Sequence, residues 1–102
     1  ALTRYREIGE RWGEATTLEA IGDVLQFLKQ TQEALNYYNQ ALVLYREVGD
    51  RLGEANTLKA IGDVLQFLKQ SQEAWSRYDQ ALALYCQMGN RLGEANTLKV
   101  IG

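Results

Sequence analysis

The stretch RLGEANTLK at residues 51–59 recurs unchanged at 91–99, and a near copy, RWGEATTLE, stands at 11–19. A phrase repeated at a fixed step of forty residues marks an array of like units. Working outward from it, residues 11–50 align with 51–90 without a gap, and 91–102 begins a further copy. Residues 1–10, ALTRYREIGE, match the end of a unit, as in ALVLYREVGD at 41–50. The chain therefore reads as a single array over 1–102. Residues 1–10 are the tail of a preceding repeat, 11–50 and 51–90 are full repeats, and 91–102 is the start of a truncated one. The first halves of the two full units, 11–30 and 51–70, agree at 17 of 20 positions, the second halves at 10 of 20. Recent duplication or a shared surface on the first half would each produce that difference.

Each unit reads as two helices. In the first, Leu52, Ala55, Leu58, Ile61, Val64, Leu65 and Leu68 recur at steps of three and four, which places them on one stripe. In the second, Ala74, Tyr78, Ala81, Leu82, Tyr85 and Met88 do the same. No segment alternates with period two, so the class is all-α. Gly9, Gly49 and Gly89 close the second helices as left-handed caps. Asp50 and Asn90 cap the helices that follow. Thr31 and Ser71 are placed to cap the second helices, with Glu33 and Glu73 in the first turn, where the dipole favours a negative charge. A two-helix unit cannot bury both faces alone, so the units stack into a helical solenoid.

Composition excludes several classes. The net charge of −2 lacks the basic face a nucleic-acid partner requires. No apolar run approaches the roughly 18 residues of a membrane span, and the first residues carry no signal-peptide pattern. Neither nucleic acid nor membrane is expected as a partner. The chain opens on Ala1, so a piece of a longer protein is expected. There is no histidine, and Cys86 is the only cysteine, which rules out an internal disulfide and a His/Cys metal site. No cofactor is expected, and a reducing, cytoplasmic setting is the natural one. Cys86 is either a reactive thiol or a drifted surface position, its counterpart one repeat earlier being Arg46. Carboxylates such as Glu54 and Asp63 have no evident nucleophile or base beside them, and no glycine-rich phosphate loop is present. The chain is not expected to be an enzyme.

In the two full units Leu18, Ile21, Gly22, Leu25, Ala34, Tyr38 and Ala41 are matched by Leu58, Ile61, Gly62, Leu65, Ala74, Tyr78 and Ala81. This spacing resembles the tetratricopeptide repeat, with its W-x2-L-G-x2-Y…A-x3-F pattern. The resemblance covers the whole chain and implies a right-handed solenoid of helical hairpins. The period of forty implies longer helices than the usual thirty-four, and the proline that commonly ends the second helix is replaced near Arg46 and Cys86. Gly22 and Gly62, mid-helix, suggest close approach of the partner helix, with Ala34 and Ala74 facing them.

The resemblance also implies a function: a protein-interaction scaffold that binds a peptide or partner segment on a concave face lined by the first helices. Carrying the family's groove positions across gives Thr16, Glu19, Asp23, Gln26 and Phe27 in one unit. The next supplies Asn56, Lys59, Asp63, Gln66 and Phe67, and the truncated one Asn96 and Lys99. Members that clamp a C-terminal carboxylate use Asn and Lys there. Asp23 and Asp63 stand at the Asn position, where their charge repels a carboxylate, and Glu19 against Lys59 changes the groove's sign along its length. A partner of mixed charge is therefore expected.

The alternative is a self-associating structural module. Lys29 and Lys69 stand in the turns between paired helices, where the family usually has glycine. A lysine there must take a strained left-handed backbone, at a cost on the order of 1 kcal/mol. Otherwise the helices straighten and exchange partners in a domain-swapped dimer. The ends offer a second route. Leu2, Tyr5 and Ile8 at one end and Leu98 and Ile101 at the other are expected to lack partner helices, which favours head-to-tail stacking.

Overall fold

A computed structural model describes residues 2–101, with side chains described for residues 6–100. It comprises five helices, α1 (Leu2–Phe27), α2 (Thr31–Val48), α3 (Arg51–Phe67), α4 (Ser71–Met88) and α5 (Arg91–Ile101). Each packs chiefly on its neighbours in the chain, as α1·α2 and α3·α4 hairpins laid side by side with α5 against α4. The architecture is the all-α helical repeat read from the forty-residue step. Its main core joins Ala34, Tyr38 and Leu42 of α2 to Leu58, Ile61, Val64 and Leu65 of α3 and to Ala74, Tyr78 and Tyr85 of α4.

The caps at the unit boundaries form as read. Gly49 and Gly89 are left-handed, at φ 76° and 68°. The following amides reach back to Tyr45 and Tyr85 carbonyls at 3.0 and 2.9 Å. Asp50 and Asn90 then accept the amides of Gly53 and Gly93 at 2.9 and 2.8 Å. The expected cap at Gly9 does not form, and α1 runs through it from Leu2 to Phe27. The residue after Gly9 is Glu10, where the other boundaries have Asp50 and Asn90. A glutamate is too long to fold back onto the backbone amides, so a break at Gly9 lacks the bond that secures the other two.

Thr31 and Ser71 are also displaced from their expected role. The capping positions are Gln30 and Gln70, whose carbonyls accept the Ala34 and Ala74 amides at 3.0 Å and whose side chains make no cap bond. Both lysine turns close in the left-handed conformation, Lys29 at φ 65° and Lys69 at φ 64°. Gln30 and Gln70 amides bond Leu25 and Leu65 carbonyls at 2.8 and 2.9 Å. This is the closure seen at Gly49, made with a residue that finds it costly.

The mid-helix glycines mark close approach, with a different partner from the alanines expected. A Cβ at Gly22 would lie 2.7 Å from the Tyr38 ring, and one at Gly62 2.7 Å from the Tyr78 ring. The second helix thus lays a tyrosine face across the first, within each hairpin. Between hairpins the same device recurs, with the rings of Tyr45 and Tyr85 seated on Gly53 and Gly93.

Candidate functional site: the cleft between α1 and α3

The side-by-side hairpins bring the end of α1 near the end of α3. Between them lies a cleft of about 400 Å³ lined by Asp23, Gln26, Phe27, Lys29, Thr31, Asp63, Val64 and Phe67. It gathers five of the groove residues selected by resemblance: Asp23, Gln26 and Phe27 from α1, Asp63 and Phe67 from α3. Phe27 is 84% exposed and Phe67 57%. The Lys29 ammonium lies 5.3 Å from the centre of the Phe67 ring, a cation–π contact across the cleft mouth.

The polar groove residues are tied to the tyrosines. Tyr38 donates its phenolic hydrogen to Asp23 Oδ1 at 2.5 Å, and Tyr78 does the same to Asp63 Oδ1 at 2.5 Å. The side-chain amides of Gln26 and Gln66 lie 2.9 Å from the phenol oxygens of Tyr38 and Tyr78. One phenol has one hydrogen, so each glutamine completes its arrangement by presenting its NH2 to the phenol oxygen. Tyr45 donates to Glu19 at 2.6 Å, and Tyr85 donates to Asn56. Burial, then the accepting carboxylates, push the pKa values of Tyr38, Tyr45 and Tyr78 well above the ordinary phenol value of 10.0. Burial also raises the Glu19 carboxyl, helped by the charges of Asp23 and Asp50, while the Tyr45 hydroxyl pulls it back.

The remaining groove residues divide. Lys59 reaches Asp63 Oδ2 at 3.2 Å across one helical turn, so Asp63 has both oxygens engaged. Asp23 has Glu19 at the equivalent place and keeps its second oxygen open among the described residues. Thr16 donates to the Gly13 carbonyl within its own helix at 2.9 Å. Asn96 and Lys99 are exposed on α5 and line no part of the cleft. Sequence reasoning did not place Lys29, Thr31 or Val64 in the cleft. Lys29 had a signal, since a left-handed turn residue projects beside the helix ends it joins.

Cys86 is exposed, and its thiol pKa is raised, by desolvation first and then by the Glu94 carboxylate. That holds the sulfur protonated and opposes a nucleophilic role. One repeat earlier the same place carries an ion pair, Arg46 to Glu54 at 2.9 Å. No described helix is long and apolar enough to cross a membrane.

Stacked helical hairpins with a side-lined cleft define a helical-repeat protein. A tetratricopeptide repeat family model matches residues 1–47 and 13–87, and the chain belongs to that family, whose members generally mediate protein–protein interaction and are typically non-enzymatic scaffolds. None of the curated proteins matches the chain.

Proposed function

We propose that the chain binds a segment of a partner protein along the face built from α1 and α3, and that the cleft between them seats a basic side chain of that segment. The observation that carries this reading is Phe27. A phenylalanine 84% exposed, at the rim of a 400 Å³ cleft, does nothing for the core and offers a flat apolar and cation-accepting surface. Asp23 and Asp63 stand in the same cleft, Asp23 with an oxygen to give. The tyrosine bonds that hold these carboxylates fix their position before a ligand arrives, which reduces the ordering cost of binding. Lys59 and Lys99 further along the first-helix faces suit acidic residues elsewhere in the same segment, so a ligand of mixed charge fits.

A random peptide library displayed on phage and selected on the full chain tests this. Selected sequences should carry a basic residue at a fixed place. Titrated by calorimetry, a selected peptide should lose roughly tenfold or more in affinity on Phe27→Ala, the loss typical of a central anchor. Asp23→Asn should weaken it too and flatten its salt dependence. Peptides that bind Phe27→Ala and Asp23→Asn as well as the parent, with circular dichroism unchanged, would sink the proposal.

A further inference from the structure

The cleft between α1 and α3 already holds a cation of the chain itself. Lys29 stands on its wall with the ammonium 5.3 Å from the centre of the Phe67 ring. At that distance the negative face of the ring attracts the charge. Among the described residues the ammonium makes no ion pair, which leaves the ring as its partner. Both residues lie inside the array, Lys29 in the turn between α1 and α2 and Phe67 at the end of α3.

The α3 wall is thus taken by lysines of the chain. Asp63 accepts from Tyr78 through Oδ1 at 2.5 Å and from Lys59 through Oδ2 at 3.2 Å. The α1 wall differs at its carboxylate. Asp23 accepts from Tyr38 through Oδ1, but Glu19 stands where Lys59 does, so Oδ2 meets no cation among the described residues. A cation entering the cleft finds a carboxylate oxygen at Asp23 and finds the Phe67 ring covered. A second cation would have to push Lys29 off the ring and remain beside its charge, where like charges repel.

We infer, on the reading that the cleft seats a basic side chain of a partner segment, that Lys29 is a specificity determinant. It keeps the Phe67 ring for itself and limits the segment to one basic group in the cleft, placed at Asp23. Segments that present two basic groups to the cleft are turned away.

Two variants of the full chain isolate the role of Lys29. Lys29→Gln removes the charge and keeps a long side chain. Lys69→Gln removes the same charge from a turn of the same backbone, φ 64° against 65°, at a place that lines no part of the cleft. The first measurement uses no ligand. In carbon–proton NMR spectra the Phe67 ring should shift the Lys29 ε-methylene protons upfield of those of the other lysines, and Phe67→Leu should return them. Lys29 protons that coincide with the other lysines in the parent chain would overturn the inference whatever the cleft binds. The second measurement runs phage-displayed peptide selections in parallel on the parent and both variants. The parent and Lys69→Gln should each select one fixed basic position, and Lys29→Gln should select two. The doubly basic peptides should bind Lys29→Gln roughly threefold or more tighter than the parent. A single fixed position on Lys29→Gln would overturn the inference and leave the reading of the cleft intact. An equal gain on Lys69→Gln would assign the effect to net charge and overturn it too. No fixed basic position on any of the three would fail the reading of the cleft, and the role of Lys29 would fall with it.

Discussion

Residues 17–27 of α1 and 57–67 of α3 are the same peptide apart from Glu19 against Lys59. Both are helical, yet they live in different surroundings. In α3 the stripe Thr57, Ile61, Val64 is dry; in α1 Thr17, Ile21 and Val24 face water. The chemistry of the stripe is constant, so the difference lies in what packs on it: α2 lies on this face of α3, and no described helix lies on the matching face of α1. What an apolar stripe contributes to stability is therefore a property of a junction and not of a helix, as expected of a stack in which each unit touches only its neighbours.

The sharpest way to break this comparison is to truncate the same side chain in both places. Ile61→Ala should destabilise by about 2–5 kcal/mol, the usual range for a buried isoleucine. Ile21→Ala, where α1 faces water, should fall within about 0.5 kcal/mol of the parent. Equal losses in urea melts at low protein concentration would mean that α1 is covered in solution. The glycines come next. Gly53→Ala sets a methyl 2.5 Å from the Tyr45 ring and should lose about 1–3 kcal/mol. Gly13→Ala, with open space around it, should instead gain up to about 1 kcal/mol from helix propensity.

The smallest effect concerns the one difference in sequence. Glu19 has its folded pKa raised above 4.5, so the folded state holds that proton more tightly than the unfolded chain. Its contribution is greatest at low pH and is lost as pH rises from about 4.5 through the folded pKa. Glu19→Gln keeps an acceptor for Tyr45 and removes the charge. Stability near neutral pH should rise by less than about 1 kcal/mol, since the site is half in water, and the slope of stability against pH just above 4.5 should flatten. An unchanged slope would assign the pH dependence to other groups.

What was legible in the sequence was local. The left-handed Gly49 and Gly89 and the caps Asp50 and Asn90 depend on residues within one turn of each other, whereas for Lys29 and Lys69 the sequence left a left-handed turn and a straightened one both open. Where a reading needed to know what lay across the chain, it failed or fell short. Gly22 announced a close neighbour without saying that a ring fifteen or more residues away would be it. Asp23, Asp63, Glu19 and Asn56 were selected as groove residues, and their bonds to tyrosine hydroxyls follow only from the register of the hairpins.

The two tryptophans give the stack an optical readout at each of its extremes. Trp12 stands near the start and donates its indole N–H to Asp50 Oδ2 at 2.8 Å, on the very carboxylate that caps α3. Trp75 stands near the finish, beside Val100 of α5. Emission from Trp12 thus follows the seam where α1 meets the head of α3, and emission from Trp75 follows the seat of α5. With either one changed to phenylalanine, the other becomes a lone lamp at a known place, and the order in which the two ends come undone can be read as colour.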